Sequence, residues 1–218
     1  MTPVKGTGTL RIIAGQWRGR KLPVADLPGL RPSTDRIRET LFNWLARDVV
    51  GAHCLDLFAG TGALGLEALS RGAAHCHFIE RQSTAVKLLK EAITTLNAGA
   101  QSQVFQEDAL QFLKRLPRET LGRPVPQETP DASSSAAGAP EPGYDLVFLD
   151  PPFDSDLLAA SLKLLADSPL LARGALVYLE YAPAQCPETP GTWEQYRSKK
   201  SGGKSAGVVY ELYRLPTA

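Results

Sequence analysis

The chain of 218 residues lacks the features that mark membrane, secreted and zinc-binding proteins. No segment approaches the roughly 18 consecutive apolar residues of a membrane helix, and the first residues lack the apolar stretch of a signal peptide. The three cysteines, Cys54, Cys76 and Cys186, show no Cys-x-x-Cys spacing, and the first two lie in apolar runs. We therefore expect a cytoplasmic protein without disulfide, metal site or membrane association.

Net charge is also nearly absent, with 24 basic against 23 acidic side chains. Residues 1–38, however, contain eight basic and two acidic residues, which gives this segment a charge of +6 and the remainder −5. A basic arm can bind a polyanion, because each neutralised phosphate releases condensed counterions; the alternative is a flank that only faces solvent. The candidates for nucleic-acid contact are Arg11, Arg18, Arg20, Lys21, Arg31, Arg36 and Arg38.

The length allows one substantial core with an appendage. Residues 8–24 read as two short strands around residues 15–19, which predicts a basic hairpin. A helix should follow a cap at Ser33 or Thr34, because apolar residues then recur at helical spacing. We expect a hairpin extension over residues 1–31 and a main domain over residues 32–218.

Strand-like and helical segments alternate from residue 53 onward. Strands are predicted over residues 54–58, 76–80, 103–106, 144–149 and 176–181, with helices over residues 63–70, 83–97, 109–116 and 156–166. This alternation predicts an α/β fold, in which helices cover both faces of a parallel sheet. Two further runs, 193–198 and 208–214, should pair antiparallel at one edge. Residues 117–143, rich in Pro, Ala and Ser, are expected to form a flexible insertion without catalytic residues.

The first motif is a glycine-rich turn after the strand at residues 54–58. Ligands of parallel sheets bind beyond the carboxyl ends of the strands, where the strand order reverses. Gly60, Gly62 and Gly65 form Gly-x-Gly-x-x-Gly, which alone is also typical of dinucleotide binding. Asp56 favours instead a cofactor with an ammonium group, since a carboxylate repels a pyrophosphate. The predicted cofactor-binding residues of this turn are Asp56, Phe58, Ala59, Gly60 and Gly62.

Carboxylates also end the next two predicted strands. Glu80 lies about 20 residues after the glycine turn, where a carboxylate can accept both ribose hydroxyls of either NAD or S-adenosylmethionine. Asp108 can accept a hydrogen bond from an adenine amino group, and it can equally serve as the N-cap of the following helix. Together with Asp56, these positions predict S-adenosylmethionine as the cofactor.

The second motif, Asp150-Pro-Pro-Phe153, follows the strand at residues 144–149. Pro151 and Pro152 donate no backbone hydrogen bond, so the carbonyls of Asp150 and Pro151 can face the cleft as acceptors. The nitrogen of an exocyclic base amine is a poor nucleophile, and accepting its two hydrogens at the Asp150 carboxylate and a proline carbonyl would direct its lone pair at a sulfonium methyl. Phe153 would stack on the unstacked base. The motif predicts methylation of a base amine, although Asp-Pro-Pro also forms ordinary turns.

Four segments resemble the RsmD family of bacterial small-subunit ribosomal RNA guanine-N2 methyltransferases, and the resemblance covers nearly the whole chain. They are Arg11-Ile-Ile-Ala-Gly-x-Trp-Arg-Gly-Arg-x-Leu22, Arg31-Pro-Ser-Thr-Asp-Arg-Ile-Arg-Glu-Thr-Leu-Phe-Asn43, Leu55-Asp-Leu-Phe-Ala-Gly-Thr-Gly-Ala-Leu-Gly-Leu-Glu-Ala-Leu-Ser-Arg71 and Asp150-Pro-Pro-Phe153. The first two are specific to the family, whereas many amino-methylating enzymes share the last.

The resemblance implies a class I methyltransferase fold, with a Rossmann-like seven-stranded sheet whose last strand is antiparallel. It implies S-adenosylmethionine-dependent methylation of N2 of guanine 966 in 16S rRNA, in the loop of helix 31. The implied substrate is the assembled or assembling small ribosomal subunit, a partner for the basic arm. We expect the enzyme to act as a monomer. The insertion at residues 117–143 departs from the compact family pattern.

Three other functions remain compatible with parts of the sequence. An adenine-N6 DNA methyltransferase would use Asp150 in the same way, although no separate target-recognition domain is visible in the sequence. A nicotinamide-dependent oxidoreductase fits the glycines and Glu80 but conflicts with Asp56 and the Asp-Pro-Pro-Phe segment. A non-catalytic RNA-binding assembly factor would retain the cleft. Arg36 and Arg38 are candidates for binding either phosphate or the carboxylate of the cofactor.

Overall fold

The computed structural model of the chain describes residues 8–24, 34–115, 143–166, 168–202 and 207–217. The predicted insertion therefore lies outside the described residues, apart from Gly143 at its end. The described residues form a two-stranded hairpin and a seven-stranded sheet with flanking helices. Within these ranges, no helix has the length and apolar character that crossing a bilayer requires.

The N-terminal hairpin is formed by β1 (Gly8–Arg11) and β2 (Lys21–Val24), which pair antiparallel as predicted. Leu10 and Leu22 lie opposite each other in this pairing, and both are buried in the core cluster that includes the helices of the main domain. The residues between them in sequence, at the tip of the hairpin, turn through Gly15 and Gly19, each with φ of +82°. The hairpin therefore packs its apolar face on the main domain and leaves its basic residues outside.

The main domain alternates strands and helices before ending in two strands. Its elements are α1 (Asp35–Trp44), β3 (His53–Asp56), α2 (Ala63–Ser70), β4 (His75–Ile79), α3 (Ser83–Thr95), β5 (Ser102–Phe105), α4 (Ala109–Arg115), β6 (Tyr144–Leu149), α5 (Leu157–Ala166), β7 (Leu171–Tyr181), β8 (Glu194–Ser201) and β9 (Val208–Arg214). The strand order is β5-β4-β3-β6-β7-β9-β8, and β9 runs antiparallel to both of its neighbours. The predicted α/β fold with an antiparallel last strand is confirmed.

The strand order reverses between β3 and β6. From β3 the chain builds outward through β4 to β5, and it then returns to place β6 on the other side of β3. The amide N–H of Leu57 donates to the carbonyl oxygen of Phe148 at 3.2 Å, which joins the ends of these two strands. The segments that follow Asp56 and Leu149 consequently leave the sheet side by side at the reversal, where parallel sheets bind their ligands.

Both faces of the sheet are buried, which explains the nearly continuous apolar character of its central strands. Cys54 and Phe148 face the cluster formed with the N-terminal hairpin, α1, α2 and α3. Leu55 and Val147, their neighbours in sequence, face the cluster formed with α4 and α5. Side chains of successive strand residues alternate between faces, so a strand covered on both sides requires apolar residues at every position.

Some predicted boundaries differ from those observed. β7 begins at Leu171 rather than residue 176, and its register with β6 shifts between Tyr144 and Leu146. Such an irregularity interrupts the apolar pattern from which strands are predicted. The cap of α1 is Thr34, whose hydroxyl oxygen accepts from the Ile37 amide at 3.4 Å.

Candidate active site

Asp56 is a buried carboxylate at the end of β3, directly beneath the first turn of α2. Its Oδ2 accepts a hydrogen bond from the Gly65 amide at 2.9 Å, which satisfies one of the free N–H groups at the start of the helix. Burial raises the pKa of Asp56 to about 7, against the lowering effect of the Gly65 amide, and the charge of Glu80 raises it further. A cation beside Asp56 would therefore stabilise the ionised form of this carboxylate.

The glycine turn brings the backbone from β3 into α2 through two left-handed residues. Gly60 has φ of +51° and Gly62 has φ of +77°, a region that favours glycine. The amide of Ala59 donates to the carbonyl oxygen of Ile79 at 2.9 Å, so β4 supports the turn. Ala59 is buried and Phe58 is half-buried. The predicted turn is thus formed at the carboxyl edge of the sheet.

Gly65 has a packing role that its place in the motif does not reveal. A Cβ atom at this position would lie 2.3 Å from Cε1 of Phe78 and 2.7 Å from Sγ of Cys76, both on β4. Only glycine lets α2 approach the strand so closely. This contact sets the start of α2 over the Asp56 carboxylate.

Glu80 joins the glycine turn to the start of α3. Its Oε2 accepts from the Gly60 amide at 2.9 Å and its Oε1 accepts from the Gln82 amide at 2.7 Å. The side chain is buried. Each carboxylate oxygen can accept a second hydrogen bond, which is what binding of the ribose hydroxyls would use. That role remains a prediction, whereas the structural role is visible.

Asp108 lies after β5 and caps α4. Its Oδ1 accepts from the amides of Leu110 and Gln111 at 3.0 and 3.1 Å. This arrangement is the N-cap that the sequence left as one of two possibilities. The hydrogen bond to an adenine amino group remains a prediction for the second carboxylate oxygen.

The Asp150-Pro-Pro-Phe153 motif follows β6, the strand next to β3. Pro151 is buried, Asp150 and Phe153 are half-buried, and Pro152 is exposed. The Ser155 hydroxyl donates to the Pro152 carbonyl oxygen at 2.6 Å and closes the turn. The structure therefore brings the two predicted motifs to the reversal of strand order, as the sequence required.

A cavity of about 280 Å³ lies beside this motif. Its lining includes Pro151, Phe153 and the segment of residues 185–188. Glu180, near the end of β7, also lines the cavity and is only 4% exposed. The sequence prediction did not include Glu180. The signal was present, since a single carboxylate interrupts the apolar run of β7 at its carboxyl end, as Asp56 ends that of β3.

Four of the predicted RNA-contact residues are exposed on the hairpin and the first turn of α1. Arg11 is exposed as well, but its guanidinium donates to Oδ2 of Asp35 at 3.1 and 2.7 Å. Arg31 lies outside the described residues. The other four exposed members are Arg18, Arg20, Lys21 and Arg36.

Arg38 occupies a different environment from the other predicted RNA-contact residues. It is 1% exposed, and its Nη2 donates to the carbonyl oxygen of Arg11 at 2.8 Å and to Asp35 at 2.6 Å. Its Nη1 lies 3.6 Å from Oε2 of Glu67. A guanidinium enclosed in this way holds the hairpin to α1 and α2, so Arg38 is not at the surface where the predicted RNA contact would be made.

Glu67 is the centre of this attachment, and sequence reasoning assigned it no role. The amides of Ile13 and Ala14 in the hairpin donate to its two carboxylate oxygens at 2.8 and 3.0 Å. Arg71 Nε donates to the same carboxylate at 2.7 Å. The side chain is fully buried in α2, the helix that the glycine turn begins. One carboxylate thus ties the hairpin to the helix that follows the glycine turn.

The chain is similar to known proteins over nearly its whole length. A family model described as Conserved hypothetical protein 95 matches residues 10–122 and 127–210. The ribosomal RNA small subunit methyltransferase D of Escherichia coli K12 is 44% identical over 210 residues, which span 96% of this chain and 91% of that protein. The protein of the same name from Haemophilus influenzae is 40% identical over 208 residues, spanning 95% and 94%.

Solved structures show the same similarity in three dimensions. The methyltransferase yhhF from Escherichia coli superposes with a TM-score of 0.76 at 42% identity, covering 97% of this chain and all of that chain. A methylase from Haemophilus influenzae gives a TM-score of 0.72 at 36% identity, covering 96% and 99%. With the predicted motifs placed at one edge of the sheet, these matches show that the chain belongs to the RsmD family, the Conserved hypothetical protein 95 family.

Proposed function

We propose that this protein transfers a methyl group from S-adenosylmethionine to the exocyclic N2 of a guanine in 16S rRNA, at position 966 in the loop of helix 31. The observation that carries the proposal is the placement of Asp150-Pro-Pro-Phe153 beside the Asp56 turn, where the strand order reverses. The relatives named ribosomal RNA small subunit methyltransferase D support ribosomal RNA as the substrate. The guanine N2 and its position rest on the family resemblance.

The residues around the glycine turn fit S-adenosylmethionine. Asp56 is a buried carboxylate near a second one, Glu80. Burial and the charge of Glu80 raise its pKa, and a cationic neighbour would stabilise its ionised form. The α-ammonium of the cofactor supplies such a charge. Glu80 would accept the ribose hydroxyls, and Asp108 the adenine amino group. When bound here, the cofactor supplies an electrophilic methyl group on a sulfonium.

Asp150 would act by hydrogen bonding and by stabilising positive charge on the amine. Its carboxylate accepts one hydrogen of the base amine, a proline carbonyl of the motif accepts the other, and Phe153 stacks on the ring. These contacts aim the nitrogen lone pair at the methyl carbon. S-adenosylmethionine held at the glycine turn would supply the methyl group and leave as a neutral thioether, and the methylated nitrogen would release one proton to water. A strong base is unnecessary because the methylated cation is acidic.

The exposed basic side chains would contact the phosphates of the small subunit. They are Arg18, Arg20, Lys21 and Arg36, with Arg11 beside them. We assign this role to the extension over residues 1–31, with Arg31 included, and to Arg36 at the start of α1, and we assign the chemistry to residues 32–218. Arg38 is excluded from the contact set by its burial.

Replacing Asp150 by alanine tests the proposal. We expect Asp150→Ala to bind S-adenosylmethionine within about threefold of wild type and to lose roughly 100-fold or more in kcat, since removing one preorganised acceptor costs about 10²–10³. The assay uses labelled cofactor and small subunits from cells that lack this methylation, and mass spectrometry locates the methylated nucleotide. The exposed neighbour Asp154 provides the control, because Asp154→Ala should leave turnover unchanged.

Two further measurements separate the alternatives. Duplex DNA is offered in parallel with the subunits, and label that enters only DNA would contradict an rRNA substrate. Calorimetric titration compares NAD with S-adenosylmethionine, and saturable binding of NAD alone would favour an oxidoreductase. Unchanged methylation by Asp150→Ala would refute the role of this carboxylate.

A further inference from the structure

Glu180 is a second carboxylate beside Asp150 that the proposed methyl transfer does not use. β6 and β7 are parallel, and Leu149 pairs with Leu179, so residues 150 and 180 stand one step further along neighbouring strands. Strands in a sheet are about 4.8 Å apart. The side chain of Glu180 is 4% exposed and lines the cavity beside Pro151 and Phe153. Two carboxylates therefore lie at adjacent strand ends: Glu180 lines the cavity, and Asp150 directly precedes the prolines that line it.

Tyr178 holds the Glu180 carboxylate in place. Its hydroxyl donates to Oε2 of Glu180 at 2.8 Å, and its ring is fully buried. Burial, followed by the negative charges of Glu180 and Asp150, raises the pKa of Tyr178 well above its ordinary value. The phenol consequently keeps its proton and remains a donor. A permanent donor of this kind fixes the orientation of the buried carboxylate.

The cavity suits one planar base. Its volume of about 280 Å³ is near the lower end of the range for small-ligand pockets. Phe153 supplies an aromatic face and Pro151 a flat apolar one, while the carboxylate of Glu180 is the buried charged group of the lining. A base that enters must therefore direct hydrogen-bond donors toward Glu180, because an acceptor there would leave buried groups unpaired.

Guanine is the base that meets this requirement at the edge that carries its amine. Its N1–H and its N2 amino group are neighbouring donors, so Asp150 can accept from N2 while Glu180 accepts from N1. Adenine has an unprotonated N1, whose lone pair would face the carboxylate. 2-Aminopurine keeps the amine at the same position as guanine but lacks both the N1 hydrogen and O6, so a change of preference in Glu180 variants is what assigns the effect to N1.

We propose that Glu180 selects guanine by accepting the N1 hydrogen of the target base, with Tyr178 as the residue that positions its carboxylate. This inference rests on the proposed methylation of a base amine at Asp150. It adds a reason for guanine that the Asp-Pro-Pro-Phe motif cannot supply, since that motif accepts hydrogens from any exocyclic amine.

The test compares small subunits reconstituted with guanosine or with 2-aminopurine at the target position. Wild type should methylate guanosine with kcat/KM about 100-fold or more above that for 2-aminopurine, because sites built to bind a donor reject analogues without it. The amide of Glu180→Gln can instead donate to the unprotonated N1. We expect this variant to lose at least about tenfold on guanosine and to reduce the preference below about tenfold.

Two variants make the result specific. Glu194→Gln changes an exposed carboxylate on β8, outside the lining of the cavity, and should leave the preference at its wild-type value. Tyr178→Phe removes the positioning hydrogen bond and should lower the preference to an intermediate value with little change in cofactor affinity. It also tests the inference if Glu180→Gln does not fold.

The outcomes distinguish this inference from the proposed function. A wild-type enzyme that methylates both bases equally, or a Glu180→Gln variant with the wild-type preference, would overturn the role of Glu180 and leave guanine methylation intact. Wild type that methylates neither subunit would instead refute the proposed function, and the inference with it.

Discussion

Carboxylates mark the carboxyl ends of four neighbouring parallel strands in this protein. Asp56 ends β3, Glu80 follows β4, Asp150 follows β6 and Glu180 lies near the end of β7. The strands themselves are apolar because both faces of the sheet are covered. Three of the four are buried, and Asp150 is half-buried. Negative charge concentrated at one edge of the sheet favours a ligand rich in hydrogen-bond donors and positive charge.

The raised pKa of Asp56 predicts a pH dependence of cofactor binding. The ionised form that attracts an ammonium is populated only as the pH passes about 7. We therefore expect the affinity for S-adenosylmethionine to rise by about tenfold between pH 5.5 and 7.5, a range in which the cofactor amine stays largely protonated. Titration calorimetry across this range measures the change. Asp56→Asn should bind more weakly at pH 7.5 and show a nearly flat profile.

The same group contributes to stability with the opposite trend. Because burial raises its folded-state pKa from 3.8 to about 7, the ligand-free protein loses stability as the pH rises through this interval. The contribution is fully present below the lower value, where both states are protonated.

A wild-type affinity for S-adenosylmethionine that does not change between pH 5.5 and 7.5 would contradict the assignment of Asp56 to the ammonium.

At the scale of elements, the hairpin depends on α2 for its position. The amide of Gln16 and the side chain of Ser70 add to the contacts at Glu67, since Gln16 donates to the Ser70 carbonyl at 2.7 Å and the Ser70 hydroxyl donates to Ala14 at 2.6 Å. A Cβ at Gly15 would lie 1.8 Å from the Ser70 carbonyl oxygen, so glycine is required where the two backbones meet. The hairpin is thus attached through polar backbone contacts as well as apolar packing.

Glu67→Ala should destabilise the protein strongly. The change leaves two hairpin amides without their acceptor and the buried Arg38 without one of its carboxylates, and breaking a buried ion pair costs about 3–5 kcal/mol. Urea denaturation measures the free energy of unfolding. Glu39→Ala, at an exposed position of α1, should change it by less than about 0.5 kcal/mol. A loss below about 1 kcal/mol at Glu67 would show that the attachment is not needed.

At the scale of the molecule, the basic hairpin tip and the candidate active site lie at opposite ends of α2. α2 begins at the glycine turn and ends at Ser70, where the tip is bound. Its eight residues span about 12 Å. RNA that reaches both Asp150 and the tip must therefore extend along the side of the domain.

Charge removal at the tip should weaken substrate binding without affecting the chemical step. For the double variant Arg18→Ala, Arg20→Ala we expect a higher KM with unchanged kcat. The slope of log affinity against log salt should become shallower by about one for each phosphate that the variant no longer neutralises. Binding to small subunits is measured at several salt concentrations. Lys163→Ala, at an exposed position in the last turn of α5, is the control, and an unaltered slope in the double variant would remove the tip from the interface.

Local physics explains why much of this molecule was predictable from its sequence. Apolar periodicity indicated each element of the sheet, and the spacing from Asp56 to Glu80 and on to Asp150 assigned the carboxylates to strand ends. A parallel sheet brings such ends to one edge whatever the loops between them, so the site followed from the order of the elements. Boundaries were less accurate where the chain is irregular, as at the start of β7.

The sequence by itself determined the α/β fold, the family and the motif residues of the site, because each depends on residues close together in the chain. Only the tertiary structure decided that Arg38 is buried while Arg18 is exposed, and that Glu67 anchors a hairpin 53 and 54 residues away. It also decided that Glu180 lies beside Asp150. Burial and long-range pairing depend on which elements pack together, and no local pattern of residues specifies that.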